Sequence, residues 1–187
     1  MIFALKSTMF SPGLHHAFFS ILVLAAVLFS PRHHALADTP STALPKPETN
    51  IILTVKGNIQ NTNNANAADF DMAMLKALPE TVIRTKTPWT KGLIQFKGVK
   101  ITELLKHVTA NGSVGEFTAL NDYTVHIPFK NMNEHGVIIA YEMNGKPISR
   151  RDKGPLWVVY PLDDEALMHG SVYHDRMVWQ LRTVFVK

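Results

Sequence analysis

The chain has 187 residues, with 19 Lys and Arg against 15 Asp and Glu (formal net charge +4), nine His and no Cys. At 46% hydrophobic and 18% charged, it matches neither a disordered tail nor a chain embedded throughout in a membrane. The missing cysteine excludes disulfides, thiolate-bound zinc, iron–sulfur clusters and a cysteine nucleophile. The length favours a single domain with a sizeable core.

Residues 1–16 carry one formal charge, Lys6, and residues 17–29 (AFFSILVLAAVLF) are apolar. That run is shorter than the roughly 20 residues of a membrane-spanning helix. Ser30-Pro31 and then Ala35-Leu36-Ala37 precede Asp38, placing small residues where signal peptidase needs them. Residues 1–37 are therefore expected to be a cleaved secretory signal, and the protein periplasmic, with an uncleaved anchor as the other reading. Cleavage removes Lys6 and Arg32 and no acid, leaving 17 basic and 15 acidic groups. A net +2 is no basic stripe, so nucleic acid is not an expected partner. Residues 38–50 (polar, Pro-rich) read as a flexible tether, and residues 51–187 as the domain, with no transmembrane segment.

Residues 50–56 (NIILTVK) predict the first strand and residues 61–67 (NTNNANA) a polar loop. Asp69 is the expected cap of a short helix with Phe70, Met74, Leu75 and Leu78 on one face, stopped by Pro79. Residues 80–86 alternate as a strand. Ile101, Leu104, Leu105 and Val108 fall at i, i+3, i+4, i+7 and give the strongest helix pattern, with Gly112 just beyond it. Residues 123–127 alternate and stop at Pro128. Residues 137–141 (VIIAY) and 156–160 (LWVVY) read as buried central strands, with an Asn144-Gly145 turn between them. Residues 177–186 predict a half-buried strand with Met177, Trp179, Leu181 and Phe185 on one face and Gln180 and Arg182 on the other. The expected class is α+β, a mixed sheet with short helices and long loops.

Residues 84–90 (RTKTPWT) gather two Thr hydroxyls, a proline bend and a Trp where a strand gives way to a loop. Trp89 there can stack on a flat heteroaromatic ring while Thr85 and Thr87 orient its polar edge, or it can plug one end of the core. Asp122, in Asn121-Asp122-Tyr123, can accept two hydrogen bonds from an amino-pyrimidine edge, or the Asn-Asp pair can only bend the backbone. Arg150, Arg151, Asp152 and Lys153 form a basic loop closed by Gly154-Pro155. It suits an anion, a carbonyl-rich ligand edge or an acidic partner, or is a solvated face. His169 and His174, with Asp163, Asp164 and Asp175 nearby, lack the spacing of a zinc helix, and a surface loop is expected. Ser171, His174 and Asp175 lie too close together for a triad built from separate elements. No Gly-rich phosphate loop is present, so nucleotide hydrolysis is not expected.

Taken in order, Arg84-Thr85-Lys86-Thr87-Pro88-Trp89, Phe96-Lys97-Gly98-Val99, Leu104-Leu105, Asn121-Asp122-Tyr123, Asn144-Gly145-Lys146-Pro147, Gly154-Pro155-Leu156-Trp157 with Tyr160-Pro161, and Val178-Trp179-Gln180-Leu181 form a pattern. It resembles the oxidoreductase molybdopterin-binding domain, the sulfite-oxidase-type fold, from about Ile51 onward. Enzymes of that fold hold molybdenum through a cysteine in the loop before the F-x-G-V block. This chain offers Thr85, Thr87 and Trp89 there, and a hydroxyl is a poor substitute for a soft, easily ionised thiolate.

The chain is also similar to small secreted versions of the domain that bind free reduced pterins. Those versions report occupancy to the periplasmic part of a membrane diguanylate cyclase or phosphodiesterase in cyclic di-GMP signalling. The resemblance therefore implies a non-catalytic protein whose ligand is a free tetrahydropterin, with molybdenum not expected. On that reading Trp89 stacks on the pterin, Thr85 and Thr87 satisfy ring-edge groups, and Asp122 accepts from the amino-pyrimidine edge. Tyr123 closes a wall, while Arg151 and Arg150 face the carbonyl or side chain. The alternatives are a molybdenum-pterin oxidoreductase or a subunit of one, and an envelope assembly subunit with an empty relict pocket.

Overall fold

A computed structural model of the chain describes residues 43–162 and 171–187. The expected signal, residues 1–37, the first residues of the expected tether, and Asp163, Asp164 and His169 lie outside the described residues. The elements in order are β1 (Leu53–Gly57), β2 (Ala67–Phe70), α1 (Met72–Lys76), β3 (Glu80–Thr85), β4 (Ile94–Lys100), α2 (Ile101–His107), β5 (Val114–Ala119), β6 (Thr124–Pro128), α3 (Phe129–Glu134), β7 (Ile138–Met143), β8 (Lys146–Pro147), β9 (Trp157–Val159), α4 (Ser171–Arg176) and β10 (Leu181–Val186).

The α+β class holds, and the strands divide between two sheets. The first is mixed, in the order β2-β1-β10-β5-β6, with β1 and β10 parallel and the other pairs antiparallel. The second is antiparallel, in the order β3-β4-β7-β8, with β9 also paired to β7. The two meet where Trp157 bridges Trp179, flanked by Val158 N–H to Val178 O (2.8 Å) and Leu181 N–H to Leu156 O (3.0 Å). The expected apolar runs become the interior: Ile138, Ile139, Ala140 and Tyr141 of β7, and Trp157, Val158 and Val159 of β9, are all buried. The four-position pattern of α2 buries Ile101, Leu104 and Val108. Glu103 stands in its first turn and Lys106 and His107 in its last, matching the helix dipole. Thr109, at φ 49°, turns the chain out of the helix before Gly112 is reached. Asn144 (φ 51°) and Gly145 (φ 74°) both take the left-handed conformation that a tight hairpin turn needs, joining β7 to β8.

Asp69 is not the helix cap. It lies in β2, where its carboxylate accepts from Thr54 Oγ1 (2.7 Å) and Asn64 Nδ2 (2.9 Å). The cap is Asp71, which accepts from Met74 N–H at 2.9 Å. Two acids two residues apart carry the same local capping pattern, and only the pairing of β2 with β1 separates them. Asp71 also accepts from Glu48 N–H, Thr49 N–H and Thr49 Oγ1 at 2.9–3.1 Å. The described part of the expected tether is thus held against the domain, with Leu44 buried and its N–H bonded to Thr62 O.

β10 departs from the expected facing. Leu181, Val184 and Val186 point inward and Phe185 is only half-buried. A register shift between Leu181 and Thr183, entered through Gln180 at φ 49°, reverses the alternation, because a one-residue bulge swaps the two faces of a strand. β2, β4, β5, α3, β8 and α4 were not expected, and α4 stands where a surface loop around His174 was expected. In β4 the inward position 98 between Phe96 and Val99 is a glycine, opposite a bulge in β7, and in β5 the inward position 115 is a glycine.

Candidate functional site

The seam between the sheets opens into a cleft of about 280 Å³ lined by Trp89, Asn121, Tyr123, His174, Asp175, Met177, Val178 and Trp179. Three segments build it: the β3–β4 loop, the β5–β6 turn, and α4 with the residues that follow it.

The β3–β4 loop is built by its own hydroxyls. Thr85 is fully buried, and its Oγ1 accepts Leu162 N–H at 2.7 Å and donates to Lys86 O at 3.2 Å. Thr87 Oγ1 sits 2.8 Å from Thr90 Oγ1 and accepts Trp89 N–H at 3.3 Å, while Thr90 N–H reaches Thr87 O. Both expected ring-edge hydroxyls are therefore spent on loop geometry, a local side-chain turn of the kind Thr favours.

Their product is the placement of Trp89. Its ring lies edge-to-face with Trp179 (5.3 Å between centroids), His174 (5.8 Å) and Trp157 (6.1 Å), within the range of favourable aromatic pairs. It keeps 37% of its surface exposed, so Trp89 both plugs the seam and presents a face to the cleft. Below it, Trp157 is fully buried, donates Nε1–H to Met177 O at 3.1 Å, and packs edge-on to Phe96 at 5.3 Å.

The β5–β6 turn divides its residues. Tyr123 lines the cleft, and its hydroxyl donates to Asp175 O at 2.9 Å. Burial, and secondarily the Asp175 carboxylate, push its phenol above the ordinary range, which keeps that donor protonated. Asp122, at φ 65°, is not among the lining residues and pairs with Arg182 Nη2 at 2.9 Å. Arg150 and Arg151 are exposed and outside the lining; Arg150 contributes its carbonyl, which accepts from Gln180 Nε2 at 2.8 Å. The basic loop reaches the aromatic cluster through Lys153 instead, with Nζ 5.5 Å from the Trp157 ring centre and 5.6 Å from that of Trp179. This is a cation–π arrangement, and the same ammonium pairs with Asp152 at 2.9 Å.

α4 has six residues, too few to be stable alone, and is pinned from behind. Arg176 Nη1 and the Tyr160 hydroxyl both donate to Asn131 Oδ1, at 2.9 and 3.0 Å. The Tyr173 hydroxyl lies 3.3 Å from His135 Nε2. Burial holds the Tyr160 phenol far above its ordinary range, so it stays a donor. The helix thus presents His174 and Asp175 to the cleft from a fixed base. Among the described residues, no group of three or more His, Asp or Glu is placed to hold a metal ion.

Of the residues singled out in the sequence, the cleft brings together Trp89 and Tyr123. Thr85 and Thr87 lie beneath it, and Asp122, Arg150 and Arg151 lie outside its lining. Sequence reasoning missed Asn121, His174, Asp175, Met177 and Val178 as lining residues. Trp179 was read as part of a strand face and of the Val178-Trp179-Gln180-Leu181 block, not as a lining residue.

A family model described as the oxidoreductase molybdopterin-binding domain matches residues 42–163. No curated protein matches the chain. Among solved structures, the chain is similar to the sulfane dehydrogenase SoxCD from Paracoccus pantotrophus, at 17% identity and a TM-score of 0.52. The match covers 72% of this chain and 37% of that one, so the chain spans little more than a third of the protein it matches. At that identity the likeness concerns the fold.

These findings correct one expectation. A free tetrahydropterin with molybdenum set aside is overturned, because the matched family binds molybdopterin. The residues present suit the flat pterin part of such a cofactor: an aromatic slot of Trp89, Trp179 and Tyr123, with polar atoms of Asn121 and His174 at its rim. They offer its metal no thiolate, since the chain has no cysteine and Thr85 Oγ1 is already committed to Leu162 N–H.

Proposed function

Since the chain belongs to the oxidoreductase molybdopterin-binding family, we propose that it is a molybdopterin-binding subunit of an oxidoreductase. The observation that carries this is the cleft at the sheet seam, where Trp89 and Trp179 stand 5.3 Å apart at 80° and expose apolar surface framed by a few polar groups. That is the make-up of a pocket for a planar heterocycle. Trp89, Trp179 and Tyr123 hold the ring, while Asn121 and His174 orient its edge. When bound, the cofactor supplies redox chemistry at its metal; this chain binds the ring, fixes its tilt and keeps water from its apolar face. The similar SoxCD protein, a sulfane dehydrogenase, agrees with an oxidoreductase assignment. The signalling alternative, with a diguanylate cyclase or phosphodiesterase as listener, draws no support from the family or from that match. Export through residues 1–37 is part of this proposal, and N-terminal sequencing of the secreted protein should begin at Asp38.

The test is the cofactor content of the purified native protein, read as oxidised pterin fluorescence and as molybdenum by mass spectrometry. We expect about one pterin per chain in the wild type, and at least a tenfold loss in Trp89→Ala and Trp179→Ala with the circular dichroism spectrum kept. Equal content in wild type and both variants, or no pterin in any of them, refutes the site.

A further inference from the structure

The two loops that flank the cleft are basic well beyond what the cleft uses. No Asp or Glu occurs between Glu80 and Glu103, a stretch holding Arg84, Lys86, Lys91, Lys97 and Lys100. None occurs between Glu142 and Asp152, where Lys146, Arg150 and Arg151 stand. Around the mouth, Lys86 and Lys91 lie on the β3–β4 loop and Arg150 and Arg151 on the β8–β9 loop. All four are exposed, and none lines the cleft. Both loops lean on the same tryptophans, the first through Trp89 and the second through Lys153, which brings the two basic loops to the same end of the fold.

Among the described residues, the acids next in sequence to these loops and to the cleft turn are already engaged. Asp152 is bound to Lys153 and Asp122 to Arg182, and Asp175 belongs to the cleft lining. Among the described residues, the side chains of Lys86, Lys91, Arg150 and Arg151 have no hydrogen-bond or ion-pair partner. Leu93, in the same loop as Lys91, is 61% exposed.

We infer that this face docks a protein partner through an acidic surface with an apolar contact for Leu93. The inference deepens the subunit reading above, and rests on it in supposing a partner. Four like charges on neighbouring loops, with no counter-charge among the described residues, cost self-repulsion, which an acidic surface relieves while speeding encounter by electrostatic steering. A lipid surface fits less well: it needs several apolar side chains free to insert, and here Trp89 is locked in its cluster and Tyr123 is tied through its hydroxyl to Asp175 O, which leaves Leu93 and, on α4, Val172. The partner would lie across the cleft mouth, beside whatever the cleft holds.

The experiment places a photo-crosslinking residue at Leu93 of the full chain in the cells that make it. A control places it at Ile51, which is 54% exposed on the β1–β2 side. We expect one protein crosslinked from Leu93 and not from Ile51, with the sequenced crosslinked segment net acidic. The yield should fall roughly tenfold or more in Arg150→Glu/Arg151→Glu and in Lys86→Glu/Lys91→Glu. Association of the purified pair should weaken steeply with salt, and recover when acids of the partner segment are changed to Lys against the Arg150→Glu/Arg151→Glu chain. A neutral or basic segment, equal labelling from Ile51, crosslinking to lipid or nucleic acid, no crosslink at all, or a yield untouched by charge reversal overturns the inference. Pterin content is measured on the same samples. Crosslinking lost with pterin retained locates the defect in docking, whereas wild-type protein that crosslinks but holds no pterin refutes the cofactor reading and leaves the docking face standing.

Discussion

Gly98, the glycine of the F-x-G-V block, tests the physical basis of the motif. Its backbone is not in the left-handed region, and a Cβ added there would collide with the Ile139 carbonyl oxygen and stand 2.7 Å from Ala140 Cα. Both obstacles are backbone of β7, the strand that β4 pairs with at its register shift, so no side chain can swing aside. Reaching ordinary contact with the nearer obstacle, from 2.1 to 3.4 Å, means moving one strand by about 1.3 Å, in an interior as densely packed as a crystal. Overpacking of this kind costs about 1–3 kcal/mol, and a loosened β4–β7 hydrogen bond adds about 1 kcal/mol. Gly98→Ala should therefore lose roughly 2–4 kcal/mol in urea denaturation and melt on the order of 10 °C lower. Gly145→Ala supplies the contrast: its φ is 74° and nothing lies within 4 Å of the added Cβ, so only local strain of about 1 kcal/mol is expected. If Gly98→Ala costs no more than Gly145→Ala, close strand approach is not why glycine stands in the block.

Thr85→Val keeps the shape of the side chain and deprives the buried Leu162 N–H of its acceptor; it should cost about 1–3 kcal/mol in denaturant titrations, with Thr85→Ser near wild type. Asp71 gives an acid dependence. The Met74 N–H, followed by the N–H groups of Thr49 and Glu48, holds its carboxyl below the ordinary 3.8 against an opposing effect of burial. The folded state thus binds that proton less readily than the unfolded chain. Its contribution is complete above the ordinary value and fades as pH falls through the lowered one. Urea midpoints measured from pH 6 to pH 2 should fall less steeply in Asp71→Asn than in wild type. Trp89→Ala, besides losing pterin, should leave the melting temperature within a few degrees, because a third of the ring is exposed already; unfolding at room temperature would show that the ring belongs to the core.

Much of the fold was written in local pattern. The spacing of Ile101, Leu104, Leu105 and Val108, the apolar run of β7 and the Asn144-Gly145 turn each specify their element within a few residues. What was not legible depends on distant pairing. Whether Asp69 or Asp71 caps α1 is decided by β1, and the facing of β10 by a bulge against β5. The same division holds at the cleft. Trp89 could be picked out because its Thr-Pro-Trp setting is unusual, whereas Asp122 could not be oriented without knowing that Arg182, sixty positions on, stands beside it at 2.9 Å. His174 and Asp175 looked like surface residues because the contacts that pin α4 come from Asn131, His135 and Tyr160, none of them near in sequence.

The position of β10 governs when the first sheet can exist at all. It lies between β1 and β5, and its parallel register pairs Thr54 with Thr183, across more than a hundred residues of chain. Until those late residues have been synthesised, β1–β2 and β5–β6 are two separate hairpin-like pieces with no strand to join them, and Leu53, Val55 and Phe117 have no shared interior. Pairing over such separations closes large loops before it gains contacts, which slows folding. That half of the growing chain is thereby kept open through most of its translation, while the second sheet, complete by Val159, needs nothing from β10.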